Sequence, residues 1–397
     1  MSNDLVGKPS PSRLRKLLEG NLGAHSRSVL VGPGPGLDAA VMEIDGGRVM
    51  VIAEDPIFPA PGLPLEIMGE FTVHIGASDV AVTGVRPTAM TYTLLLPPGC
   101  PESDAGLIIR SISQTANALG ITIAGGHTGW YGAVTIPTVG GVSVWGFAEA
   151  GKWISPGGAR EGDALLMTKG PAIEASALLG VLYRDKLVRR LAAKTLDAIC
   201  ARTAEITVVK DALAAFEGGI TLTSAPGSPR ANRSAQEGAS SALAPAGAEP
   251  TPAASRARRV NELRPGENPV HAMHDATEGG VLGGIWEMAE ASGLSVLADL
   301  DAAPVPDDIA SLADALGFDP WRAISEGTLL AAVAPAGVDA ILSAWAEAGI
   351  LGHRLGAFGP RERESTISRG GRTEPLREPG IDPFWPLFFA GLPPGAP

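Results

Sequence analysis

Two periods of apolar residues alternate along the chain. RLRKLLEGNLG (13–23) has helical spacing closed by glycine and predicts a short N-terminal helix. AVMEIDGGRVMVIAED (40–55) reads as two apolar strands around an Asp-Gly-Gly turn, a hairpin. ASDVAVTGVRPTAMTYTLLLPPG (77–99) predicts a helix start followed by a β-branched strand stopped by Pro-Pro-Gly. SDAGLIIRSISQTANALGITIAGG (103–126) combines an N-cap pattern, apolar spacing at i, i+3 and i+4, a stop at Gly120 and then a strand. With the strand TIPTVGGVSVWGFA (135–148), these segments make one α/β domain, residues 1–150.

A second unit, 151–365, opens with the strand GAREGDALLMTKG (158–170). IEASALLGVLYRDKL and AKTLDAICARTAEITVVKDALAAF follow as helices. MHDATEGGVLGGIWEMAEASGLSVLADL (273–300) reads as loop, helix, strand, and helix, strand and helix run from 308 to 347. Residues 223–258 carry one large apolar residue, Leu243, and no aromatic, so they predict a disordered insertion within this unit. Residues 366–397 are left as a C-terminal tail.

Composition narrows the function. A net charge of −12 argues against non-specific nucleic-acid binding and against docking on an anionic membrane. Cys100 and Cys200 are isolated thiols without metal-ligand spacing. No run approaches the roughly 18 apolar residues of a membrane span, and the N-terminus lacks a signal-peptide pattern, so the cytoplasm is the expected compartment.

Acids then recur among small residues. Asp38 follows the glycine-rich GPGPGL, Asp55 closes the strand VMVIAED, Asp79 sits in ASDVAV, read as a helix start, and His127 ends ITIAGGH. Between Arg48 and Lys152 the only basic residues are Arg86 and Arg110, so side-chain cations of this stretch could not neutralise a polyphosphate. Mg²⁺ bridging carboxylates and phosphate oxygens is the workable arrangement. Neither GxGxxG nor GxxxxGK[ST] is present. His271 and His274 form HxxH without further ligand residues nearby in sequence, which predicts no metal site there.

Six motifs in order, GLDAAV (36–41), AEDPIFP (53–59), ASDVAVTGVRPTAMTYTLLLP (77–97), AGGHTG (124–129), MHDATEGGVLGGIWEMAEASG (273–293) and ISEGTLLAAV (324–333), resemble the aminoimidazole ribonucleotide (AIR) synthase superfamily. The likeness is to its PurM-like fold and its HypE-like, AIR synthase-related branch, among relatives such as thiamine-monophosphate kinase and selenophosphate synthetase. The resemblance implies an α/β (α+β) architecture. An N-terminal mixed-sheet domain pairs with its twin in a homodimer, and a C-terminal α/β domain packs over it. It implies ATP and Mg²⁺ in the cleft. The activity implied is phosphorylation, or activation by phosphorylation, of an oxygen on a small molecule or a partner protein's group.

Carried over by motif, Asp38, Asp55 and Asp79 are the metal and phosphate ligands. Gly36, Ser78, Gly125, Gly126, Thr128, Glu278, Gly279 and Gly280 contact the nucleotide, and His127 and Asp275 take catalytic roles. Leu37 stands where many relatives have a second acid, and His127 where many have Asp. The chain ends GLPPGAP with both cysteines far upstream, so carbamoyl dehydration on its own tail is not expected. A non-catalytic nucleotide-binding scaffold and a thiamine-monophosphate kinase-like enzyme remain the alternatives.

Overall fold

A computed structural model describes residues 7–58, 60–224 and 267–391. The 223–258 segment therefore lies outside the described residues, apart from its first two, which end a helix.

The first sheet holds six strands: β1 (Val29–Val31), β2 (Ala40–Ile44), β3 (Arg48–Ile57), β4 (Pro87–Leu96), β5 (Thr122–Trp130) and β6 (Thr138–Glu149). Their spatial order is β1-β2-β3-β6-β4-β5, antiparallel except for the parallel β4–β5 edge pair. The predicted hairpin is β2–β3, with Ala40 opposite Ile52 and Ile44 opposite Arg48. Alternate residues of β3 are buried (Val49, Val51, Ala53), as expected for a sheet covered on one face. After the helix α1 (Pro11–Leu18), the helices α2 (Leu65–Ala81) and α3 (Glu102–Leu119) pack together, and α2 lies on this sheet. Glu102 and Asp104 favour the first turn of α3, and Gly120 ends it in the left-handed conformation.

The helix placed at 77 in fact begins at Leu65, so Asp79 lies in its last turn, not its first. Eleven of its 17 residues are buried, among them Gly69, Gly76 and Ala77. A helix enclosed on most sides shows no polar stripe, which hides its start from a periodicity reading.

The second sheet holds β7 (Ala164–Thr168), β8 (Val270–Asp275), β9 (Ser295–Asp299), β10 (Leu329–Val333), β11 (Gly352–Gly359), β12 (Thr366–Arg369) and β13 (Arg372–Pro375), in the order β13-β12-β9-β11-β7-β10-β8. β7, β8 and β10 are buried along their whole length; β7 and β10 read as apolar runs, whereas β8 carries His271, His274 and Asp275. MHD, read as loop, is the end of β8, because Asp275 pairs with Leu329 of β10. Residues 366–375, set apart in sequence as a tail, are β12 and β13 of this sheet.

The helices of this half are α4 (Ile173–Leu182), α5 (Arg184–Leu187), α6 (Ala193–Ala201), α7 (Val209–Ser224), α8 (Gly280–Ser292), α9 (Asp307–Leu316), α10 (Val338–Glu347) and α11 (Phe384–Ala390). One apolar core runs from the first sheet through α2 and α7 into the second half, and a smaller core lies around α8. Among the described residues no helix is long and apolar enough to cross a membrane.

Candidate active site

Between the two sheets lies a cleft of about 1180 Å³, reached by residues from the N-terminal segment, the 34–38 loop, β3, α2, α8 and α11. Gly36 fixes how the loop enters. Its φ is +71°, and a Cβ there would lie 2.8 Å from the Glu287 carbonyl on α8. Only glycine combines that conformation with that approach. Two residues later, Asp38 meets β8.

There His274, 2% exposed, donates from Nδ1 to Asp38 Oδ2 at 2.7 Å and from Nε2 to Glu287 Oε2 at 3.0 Å. Burial opposes its charge, but Asp38 and then Glu287 more than reverse this and hold the imidazolium well above the ordinary histidine range. His271 points to the other face of the strand, as residues three apart do. It pairs there with Asp163 at 2.9 Å. The HxxH pair is thus split. The expectation that His274 has no ligand-type neighbours is corrected, since Asp38 and Glu287 reach it from other elements and Asp275 follows it on the same strand.

Asp275 is 1% exposed, and its carboxyl lies against that of Glu326 and 3.8 Å from His274 Nδ1. Burial pushes its carboxyl up to about 6, Asp38 adds to the push, and His274 pulls back. Glu326, also 1% exposed, faces Asp275 and the Ser78 hydroxyl. Burial raises Glu326 well above the usual carboxylate range, and Asp275 raises it further. On α2, Asp79 meets the Asp55 carboxyl and is raised by burial first and by Asp55 and Asp275 next. Glu174, at the start of α4, is pushed up to about 8, chiefly by burial.

Two braces hold these acids. Lys169 has φ +58°, and its Nζ donates to the carbonyls of Glu205, Thr207 and Gly327 and pairs with Asp211 at 3.1 Å. That knot fixes the loop leading to Glu174, whose Oε2 accepts from the Glu326 backbone N–H. Gly279 and Gly280, both at positive φ, turn the chain into α8, and the Gly279 N–H donates to Asp382 at 2.7 Å.

Lys8 supplies the cation that a count of local charges misses. Its backbone N–H sits 2.9 Å from both Glu278 oxygens, and its Nζ lies 3.5 Å from Thr277 Oγ1. Crowding works against the ammonium, but Asp55, Glu287, Asp79 and Asp275 outweigh it and raise its pKa. Ser12 N to Glu378 and Arg15 to Glu290 fasten the same segment to the second half.

Of the residues expected from sequence, Gly36, Asp38, Asp55, Asp79, Glu278 and Gly279 line the cleft, and Asp275 lies against its acids. Ser78 stands behind the wall, fully buried, accepting from the Val208 N–H at 3.1 Å. Gly280 packs against the carbonyls of Trp321 and Ala323. The single chain does not bring Gly125, Gly126, His127 and Thr128 to this cleft. They sit on β5, the exposed edge strand at the far side of the first sheet, where His127 bonds the Tyr131 hydroxyl. Lys8, Glu174, His274, Glu287 and Glu326 were not assigned from sequence. The signals present were the ISEGTLL motif for Glu326 and the HD pair for His274.

Comparison with known proteins agrees with this architecture. Residues 36–146 match the family described as AIR synthase related protein, N-terminal domain, and residues 231–368 match its C-terminal domain. Carbamoyl dehydratase HypE of Cupriavidus necator is 27% identical over 330 residues, covering 81% of this chain and 74% of that protein. A HypE–HypF complex structure superposes with a TM-score of 0.65 at 16% identity, over 92% of this chain and 99% of the other. A structure of the hydrogenase maturation protein HypE in complex with ATP gives 0.59 at 18% identity, over 96% and 98%.

Proposed function

We propose, from the premise that the chain belongs to the AIR synthase-related family, that it is an ATP- and Mg²⁺-dependent enzyme that phosphorylates an oxygen of an acceptor, or activates that oxygen by phosphorylation. One observation carries the reading: acids from both halves, Asp38, Asp55, Asp79 and Glu326 with Asp275 behind them, converge on one cleft that Lys8 and Arg13 also line. A HypE bound to ATP shares the fold.

The donor set suits magnesium. Asp38, Asp55 and Asp79 all line the cleft, with the Asp55 and Asp79 carboxyls against each other, and hard divalent ions take oxygen ligands. His274 is not counted among the ligands, because both ring nitrogens are engaged by carboxylates. Asp38, Asp55 and Asp79 would hold the ion. When bound, Mg·ATP supplies the phosphoryl group and a positive charge at the phosphate oxygens.

The chain's own residues do the rest. Lys8 neutralises phosphate charge that the carboxylates would otherwise repel. His274 fixes the direction of Asp38. The acceptor hydroxyl would lose its proton to the carboxylate cluster that Asp275 backs as its oxygen forms the new bond to phosphorus and ADP leaves. Asp55→Asn tests this: ADP formation should fall by at least about a hundredfold, the scale of losing one preorganised charged group, with an unchanged melting temperature. Undiminished turnover in that variant sinks the assignment.

The exposed β5 edge, with Ile123 and Trp130 solvent-facing on it, supports pairing with a second copy. A monomer at micromolar concentration by light scattering would remove that part of the reading.

A further inference from the structure

The cleft has an apolar part that the phosphate chemistry does not use. Beside the acids it is lined by Phe58, Leu63, Ile381, Trp385, Phe388 and Phe389. Phe58, Ile381 and Phe389 are 56%, 51% and 61% exposed. Single exposed apolar residues are ordinary, but three gathered in one concavity mark a binding surface. The rings of Trp385 and Phe389 stack at 5.4 Å with 12° between their planes, giving α11 a flat apolar wall. The one polar atom among these six side chains, the Trp385 indole nitrogen, is already committed to Glu278 Oε1 at 2.6 Å. Glu278 also accepts from the Lys8 backbone, so the wall connects directly to the acidic part.

Volume and chemistry together choose the occupant. The cleft, about 1180 Å³, exceeds the roughly 300–1,000 Å³ of a pocket for one drug-sized ligand. A nucleotide with its phosphates at the acids leaves room for a second molecule. An adenine edge carries an amino group and ring nitrogens that need hydrogen-bond partners when buried. These six side chains offer none.

We infer that the apolar part binds the phosphate acceptor, and that this acceptor is a small molecule carrying an aromatic or branched aliphatic group next to the oxygen that receives phosphate. The inference rests on the Mg·ATP reading above. The stacked rings and Phe58 hold the apolar group, and the oxygen is thereby directed toward Lys8 and the acids that line the cleft.

The test uses the full chain with 2-naphthalenemethanol, a neutral aromatic alcohol, as probe, followed by saturation-transfer NMR with and without Mg²⁺ and a non-hydrolysable ATP analogue. Analogue affinity is measured in parallel by calorimetry. The probe should bind alongside the saturating analogue. Phe389→Ala and Phe58→Ala, both at exposed positions, should weaken it at least about tenfold and leave analogue affinity within twofold. Displacement of the probe by the analogue overturns the inference, because the apolar part would then belong to the base. So does unchanged probe binding in both variants. If the analogue fails to bind while the variants still lose the probe, the nucleotide reading falls and the apolar site stands.

Discussion

Replacing His274 with Gln removes the one positive group between two carboxylates. Its side chain is 3% exposed, and those of Asp38 and Glu287 are 10% and 19% exposed, so water screens little of the loss. Gln fills a similar volume but carries no charge, which leaves Asp38 and Glu287 facing each other without a cation between them. Removing one partner of a buried pair costs about 3–5 kcal/mol. In a unit the size of the second half, that corresponds to a fall of roughly 6–20 °C in melting temperature. The assay is urea and thermal unfolding of the full chain in EDTA, which removes any contribution from bound metal. Asp38→Asn and the double variant complete the cycle. If the pair acts as a unit, the double variant should recover about 1–3 kcal/mol relative to the sum of the singles. A loss below about 1 kcal/mol for His274→Gln, the value of an exposed pair, would refute the reasoning, as would strict additivity with Asp38→Asn.

Gly36→Ala should destabilise the chain by about 1–3 kcal/mol through backbone strain, since φ is +71° and the new Cβ would meet the Glu287 carbonyl at 2.8 Å. Calorimetry should also show weaker Mg·ATP binding, because Asp38 is displaced. Arg202→Met should cost about 1.5–3 kcal/mol at pH 7, because Arg202 makes bonds of 2.6 and 2.8 Å to Asp308. Burial works against the Asp308 carboxylate, but Arg202 holds it below the usual range. Its stabilisation is therefore full above the unfolded value of about 3.9 and fades as pH falls through the lower folded value. The wild type and variant should converge near pH 2 in urea unfolding.

The parts of the fold legible in sequence were those with a clean period. β2–β3, α3 with its Gly120 stop, and the apolar runs of β7 and β10 all carry one. α2 was cut short because burial on most sides removes the polar stripe that marks a helix. MHD read as a loop because its two polar residues hid a strand whose acid and histidine are both buried.

For the site, Asp38, Asp55 and Asp79 stand out as acids among Gly, Ala, Ser and Thr, and Asp275 comes only from the family resemblance. Lys8 and Glu287 stand out in neither way. One lies in an unpatterned N-terminal stretch, and the other sits on a helix where an acid ordinarily faces water. Their roles depend on a cleft closed by segments about 280 residues apart, which no local pattern encodes. His274 was set aside for lack of near ligands in sequence, yet its partners come from a loop and a helix.

ATP titration into the wild-type chain by calorimetry, first with Mg²⁺ and then with EDTA, tests the carboxylate-bridged nucleotide site most directly. Saturable binding with magnesium that disappears in EDTA, and is absent in Asp55→Asn, is the predicted result. Equal binding in the chelator, or full binding in the variant, would contradict it.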